Sequence, residues 1–164
     1  MGDFLPKSLF TPANYKYDAA VRAEAQALFD KSMLGVLAQG RPSRAVRGCL
    51  YRSMEGSLEL RCALGHLFSD ALLAALDRCR NGLNQAFEGI PDLLHQHGMF
   101  DGHRAELLAL WPHRPLLVAL QAVHDNVAWE GDSQAYRRGV LSAALEVAGQ
   151  GLLSADKLRR SQPQ

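Results

Sequence analysis

The sequence predicts a predominantly helical α+β domain, with five to six helices and one β-hairpin around a single core. Two observations carry this expectation. Apolar residues recur at helical spacing from residue 18 to 39 and again through the C-terminal half; between Gly48 and Cys62 the period shortens to that of a strand. With 164 residues, the chain suits one core, because two would each bury too little surface to be stable.

Residues 1–17 carry Pro6, Pro12 and scattered aromatics without a period. They read as an arm packing through Phe4, Phe10 and Tyr15 or Tyr17 on a globular domain that spans 18–153. Asp18 is the expected N-cap of a first helix with Val21, Ala25, Leu28, Phe29, Met33 and Val36 inward; Gly40 and Pro42 stop it. In the hairpin, Met54-Glu55-Gly56-Ser57 reads as the loop. That loop sets Ser53 opposite Leu58, Tyr51 opposite Leu60 and Cys49 opposite Cys62, with both thiols on one face.

A second long helix is expected after Ser69-Asp70, along Leu72, Leu76, Cys79, Leu83 and Phe87, with Asn81-Gly82 as its weak point and Cys79 in the core. Shorter helices follow over Pro91 to Gly98 and Arg104 to Leu110, the latter ended by Trp111-Pro112. Pro115 starts a helix with Leu116, Leu120, Val123 and Val127 on one stripe, and Ser133 caps the last, with Tyr136, Val140, Ala144 and Val147 inward. Residues 154–164 read as a polar tail that frays.

The bulk composition narrows the function classes. Hydrophobic residues make up 48% and charged residues 21%, enough apolar surface to offset the entropy of ordering. Eighteen basic side chains against seventeen acidic ones give a net charge of +1, so any nucleic-acid contact must rest on a local patch. No apolar run is long enough to span a membrane, Met1 to Asn14 lack the features of a signal peptide, and Pro6 breaks the myristoylation pattern after Gly2. A cytoplasmic protein is expected. Three cysteines, Cys49, Cys62 and Cys79, point to reduced thiols or a metal site, not a disulfide framework.

Phosphate-binding loops, nucleophile elbows and helical zinc-protease motifs are missing from the sequence. Cys49, Cys62 and His66, joined by His124, are the candidate metal ligands, since thiolate and imidazole suit four-coordinate zinc. The alternative is that both cysteines fill the buried hairpin face and His66 donates a hydrogen bond at the next turn. His95, His97, His103, His113 and His124 fall close together; residues two apart on a helix do not face each other, so a solvated surface cluster is expected. His124 itself follows a stripe through Leu117 and should be partly buried. His124-Asp125 would suit an oriented general base, although adjacent helical side chains diverge by about 100°, which leaves the aspartate to solvent or the helix end. Arg41, Arg44, Arg47, Arg52 and Arg61 bracket the hairpin. Of these, Arg44, Arg47, Arg52 and Arg61 with Tyr51 form the candidate partner-binding surface, unless they merely solubilise it.

The run from Cys49-Leu-Tyr-Arg to Leu-Arg-Cys62-Ala-Leu-Gly-His66, with Leu120-Gln-Ala-Val-His-Asp125 later and Phe29-Asp-Lys31 before, resembles small uncharacterised proteins of bacteria and their phages. Those carry Cys-x-Tyr-Arg, a Gly-containing turn, Leu-x-Cys-Ala-x-Gly with Cys or His next, and a later Leu-Gln-x-x-His-Asp. The resemblance covers about a third of the chain and ends after His66, where Leu67-Phe-Ser-Asp70 replaces a Pro-Asp-Glu-rich turn. It implies a phage or prophage accessory protein, and the alternation of Cys with His at position 66 favours a ligand role there.

The resulting expectation is a non-enzymatic accessory protein that binds and modulates a host or phage macromolecule, as an inhibitor would, through a protein partner. Self-association as a homodimer is compatible with it. The alternatives are a metal-dependent hydrolase using the Cys/His zinc site, and a nucleic-acid-binding regulator using the same arginines.

Overall fold

The computed structural model describes residues 19–45 and 48–161. The expected arm of residues 1–17, the Asp18 cap, Arg47 and residues 162–164 lie outside them. Helix α1 (Ala19–Gln39) buries Ala25, Phe29, Met33, Val36 and Leu37, the stripe that its spacing predicts. Its end is fixed chemically. Gly40 adopts a left-handed φ of 69° and donates its N–H to the Val36 carbonyl at 3.0 Å, while Arg137 donates to the Leu37 and Ala38 carbonyls at 2.8 and 3.3 Å.

Two short antiparallel ladders follow. Strands β1 (Arg44–Ala45) and β2 (Gly48–Cys49) pair Arg44 with Cys49; strands β3 (Arg52–Glu55) and β4 (Leu58–Arg61) form the expected hairpin. The hairpin register is two residues tighter than the four-residue loop implied, with Ser53 opposite Leu60 and Arg52 opposite Arg61. The reason is Gly56, whose φ of 62° closes the turn with Gly56 and Ser57 alone. Cys62 therefore lies beside Tyr51, to whose carbonyl its amide donates at 3.3 Å, and Cys49 belongs to the other ladder.

Helix α2 (Asp70–Asp77) starts under a Ser69 cap, whose hydroxyl accepts from the Leu72 amide. It does not run on to Phe87. Asn81 turns to a left-handed φ of 60°, and Gly82 packs so near Leu76 that a Cβ would stand 2.1 Å from its carbonyl oxygen. Two 3₁₀ turns, Gly82–Asn84 and Phe87–Gly89, carry the chain instead. Cys79 is buried as expected, its thiol against the Ala75 carbonyl at 3.4 Å.

Helices α3 (Ile90–Gln96) and α4 (Phe100–Leu110) pack on each other, the second beginning before Arg104. A 3₁₀ turn, Trp111–His113, leads into α5 (Arg114–Asn126), which has Pro115 in its first turn and buries Leu116, Leu117, Leu120, Val123 and His124. Helix α6 (Ser133–Gly151) is capped by Asp132 and not by Ser133: the carboxylate accepts from the Gln134 and Ala135 amides at 2.8 and 3.1 Å. Residues 154–161 are no fraying tail either. Helix α7 (Asp156–Arg160) buries Leu158 completely, and Lys157 pairs with Asp30 at 2.7 Å.

Helix α1 packs against α5, α6 and α7, and α5 against α6. Tyr51, Phe68, Phe87 and Trp111 form an unbroken aromatic row from the hairpin to α4. Among the described residues, no helix is long and apolar enough to cross a membrane.

Candidate functional site

Helix α5 and strand β2 bring the reactive side chains together. The last two turns of α5 carry Gln121, His124 and Asp125, spaced so that Gln121 and Asp125 stand one turn apart; the Gln121 amide donates to the Asp125 carboxylate at 2.7 Å. The same amide nitrogen lies 2.9 Å from the Cys49 sulfur. His124 is fully buried, as its stripe predicts. Its Nδ1 is 2.9 Å from Asp125 Oδ1 and 3.5 Å from Cys49 Sγ, while its Nε2 accepts the Ser43 backbone N–H at 3.1 Å.

That last bond decides the chemistry of the ring. An imidazole nitrogen that accepts a backbone N–H carries no proton, so the neutral ring holds its proton on Nδ1 and points it at Asp125 and Cys49. Proton relay in a thiol hydrolase needs the nucleophile and the orienting carboxylate at opposite ring nitrogens. Here both share Nδ1, and the other nitrogen is occupied. The aspartate is exposed near the helix end, as expected, and it also orients the histidine, which was not expected; yet it does not leave a free base for the thiol.

The charge states fit this picture. Contact with the Cys62 thiol and burial both push the Cys49 thiol above its ordinary pKa, against the opposing pull of His124. Burial pushes the Asp125 carboxyl up, but hydrogen bonds from His124, Gln121 and Cys49 outweigh it and hold the group below the usual carboxylate value. For His124 burial opposes the charged ring, and Asp125 and Cys49 outweigh burial to raise its pKa. Protonation would cost the ring its bond from Ser43.

The metal ligands expected from the sequence are only partly assembled. Cys49, His124 and Asp125 place one ligand atom each within 4.8 Å of one another. Cys62 and His66 stand outside that set among the described residues. A metal on His124 would use Nδ1, the nitrogen that the Ser43 bond leaves protonated, so binding would require displacing that proton and breaking the backbone contact. His66 lies instead against α1, where a Cβ on Gly35 would stand 2.5 Å from its ring, and its buried Nε2 has no hydrogen-bond partner. Burial, then Arg61, His124 and Lys31, lower its pKa to about 4.

Beside the cluster lies a cavity of about 530 Å³. Its walls are the 83–88 segment and the Val118, Gln121, Ala122, Asp125 and Asn126 face of α5, with Cys49, Tyr51 and Leu64 between them. Its charged lining residues among those described are Glu88 and Asp125, joined by four side-chain amides, Asn84, Gln85, Gln121 and Asn126. Comparison with protein-family models, with curated proteins and with solved structures finds no match for the chain. The site must therefore be read from its own chemistry.

The expected partner-binding set is largely occupied within the molecule. Tyr51 is buried, its hydroxyl donating to the Gln85 carbonyl and its ring edge-on to Phe68 at 4.8 Å; it offers no stacking face. Arg44 donates to the Asp125 and Val127 carbonyls at 3.1 and 2.9 Å, closing the end of α5. Arg52 pairs with Asp77 at 3.5 Å, and Arg61 with Glu59 and Asp70, each at 2.6 Å. Arg41 pairs with Glu55 and lies over the Trp129 ring. Nor are the histidines all on the surface: His113 is buried and reaches Glu24 at 3.1 Å, and His124 is in the core. Gln121 was missed although its signal was present, since a Gln four residues before an Asp on a helix is a recognised stabilising pair. Ser43 and Glu88 carry no such local signal.

Proposed function

We propose that the chain is a non-enzymatic binding protein, of the accessory type that its hairpin motif resembles, which modulates a protein partner by taking a basic side chain of that partner into the cavity beside α5. The observation that carries this reading is the lining: Glu88 and Asp125 are its charged residues, with amides and apolar Leu83, Phe87 and Val118 around them. Such a wall suits a lysine or arginine, whose aliphatic stem lies on apolar surface while its head meets carboxylates and amide oxygens. It disfavours phosphate, which supports a protein partner over a nucleic acid at this site. A volume of about 530 Å³ is ample for one long side chain and its backbone.

The test uses a short arginine-containing peptide and its glutamate counterpart as probes, mapped by amide chemical shifts on the full chain. The arginine peptide should shift Val118, Gln121 and Asn126, and Asp125→Asn with Glu88→Gln should weaken it about tenfold or more. Equal binding of the glutamate peptide, or shifts confined to the hairpin, would refute the reading.

A metal-dependent hydrolase remains the second reading, favoured by the Cys49, His124 and Asp125 ligand atoms lying within 4.8 Å of one another. Stoichiometric zinc in protein purified without chelator, lost in His124→Ala, would support it over the first.

A further inference from the structure

We infer that the cavity beside α5 selects arginine over lysine, and that Gln121 is the residue that sets the preference. The inference deepens the reading proposed above and rests on it: once a basic side chain of a protein partner enters the cavity, the acceptors on its walls fit one of the two basic heads better than the other.

Three observations carry it. The acceptors are spread out: two carboxylates, Glu88 and Asp125, and four side-chain amides are distributed over both walls. An ammonium gathers three donors at one point, whereas a guanidinium lays five in a plane and reaches several oxygens at once. Secondly, the α5 wall holds its carboxylate in a fixed pose. Asp125 Oδ1 accepts from Gln121 Nε2 at 2.7 Å and lies 2.9 Å from His124 Nδ1, so both contacts fall on one oxygen and Oδ2 receives neither. A carboxylate ordered before the ligand arrives spares part of the entropy that binding would otherwise cost. Thirdly, Gln121 carries an unmet acceptor. Its Nε2 lies between Asp125 Oδ1 at 2.7 Å and Cys49 Sγ at 2.9 Å; exchanging the two ends of the amide would set oxygen against a carboxylate oxygen, which fixes which end is which. Its Oε1 is then buried and has no hydrogen-bond partner among the described residues, a state that costs free energy until a donor arrives.

The unmet oxygen of Gln121 and the second oxygen of Asp125 therefore belong to one hydrogen-bonded pair of side chains, a helical turn apart on the cavity wall. A tilt of the amide that keeps Nε2 on Asp125 turns Oε1 to an entering donor. Two neighbouring acceptors match the fork of a guanidinium, while the point charge of an ammonium meets one or the other. The position on the helix adds to this. Asp125 and Asn126 stand in the last turn of α5, whose negative dipole end favours a cation. Arg44 is present at the same end, on the Asp125 and Val127 carbonyls and outside the cavity lining. It opposes any entering cation, and a guanidinium bears this better than an ammonium, because its charge is delocalised and it sheds water more readily. Val118, 52% exposed, lies on the same stripe one turn before Gln121 and Ala122. It gives the peptide around the arginine an apolar contact that a free guanidine compound does not use.

The experiment titrates the folded full chain and follows amide chemical shifts with the arginine peptide, with the same peptide carrying lysine instead, and with agmatine, a guanidinium without a peptide. The arginine peptide should bind about tenfold more tightly than the lysine peptide, and agmatine about tenfold more weakly than the arginine peptide. Gln121→Met keeps the length of the side chain and removes the amide. It should bring the arginine peptide down to the affinity of the lysine peptide and leave the lysine peptide within about twofold of its wild-type value. Equal loss of both affinities in Gln121→Met would show that the residue only braces Asp125, and would overturn its selecting role. Equal binding of the two peptides by the wild-type chain would overturn the inference while the cavity reading stands, and that comparison needs no variant to fold. Absence of shifts at Val118, Gln121 and Asn126 with either peptide would take down the cavity reading and the selectivity with it. Agmatine binding as tightly as the arginine peptide would keep the guanidinium preference and replace the protein partner by a small guanidine compound.

Discussion

His66 shows how one side chain can govern the response of this molecule to acid. The unfolded chain takes up its proton near pH 6.5, and the folded chain, where the ring is buried against Gly35, only near pH 4. Between those values the unfolded state holds more protons, so the contribution of this residue to stability is present above pH 6.5 and is lost as pH falls towards 4. Urea midpoints measured stepwise from pH 7 to pH 4.5 should decline, and His66→Gln should flatten that decline; an unchanged slope in the variant would count against it. Ser32 offers a second test at this scale. Its buried hydroxyl donates to the Ala63 carbonyl at 2.7 Å, tying α1 to the turn that holds Cys62. Ser32→Ala leaves that carbonyl unpaired and should cost about 1–3 kcal/mol in chemical denaturation. Single residues were unevenly legible in the sequence. The burial of His124 follows from its stripe, whereas the pairing of Cys49 with Cys62 across one hairpin does not hold, because Cys49 belongs to the β1–β2 ladder opposite Arg44. Tyr51 was read as a presented ring because strand alternation does not reveal that the 83–88 segment covers it.

Elements with a long period were legible, and those decided by backbone conformation were not. Helices α1, α5 and α6 follow their apolar stripes to within a residue or two of the expected ends. The extent of α2 and the hairpin register were misjudged because Asn81 and Gly56 take left-handed conformations whose use depends on packing elsewhere. The α6 cap illustrates the margin. Asp132 and Ser133 are both good cap residues, and only the structure shows that Asp132 accepts the two free amides. Asp132→Ala should therefore lower stability by about 1 kcal/mol, whereas Ser133→Ala should leave it nearly unchanged; thermal melts of the two variants compare them directly. At the hairpin, Arg52 and Arg61 sit in exposed or half-exposed ion pairs, which contribute about 0–1 kcal/mol each. Arg52→Glu with Arg61→Glu should leave the fold standing and leave arginine-peptide binding in the cavity unaltered, as read by the same shift mapping.

At the scale of the whole molecule, the predominantly helical α+β class was legible from composition and period, but its closure was not. A run rich in Lys, Arg and Ser reads as solvated tail, yet Leu158 within it is fully buried and α7 covers a face of α1. Leu158→Ala should cost about 2–5 kcal/mol, and a chain stopped after Leu153 should lose cooperative unfolding; a truncated chain with an unchanged melt would refute the role of α7. Gln26 exchanges hydrogen bonds with Ser154, and Asp30 pairs with Lys157, so α1 is completed by residues more than a hundred positions later in the chain. This clasp has a consequence for birth of the protein on the ribosome. While the chain is being synthesised from its N-terminus, the α1 face that α7 covers has no partner, and it stays open to chaperones or to other nascent chains until the C-terminal helix has emerged. Maturation of this face then waits for α7, and a ribosome stalled short of α7 would display an apolar helix face instead of a closed domain.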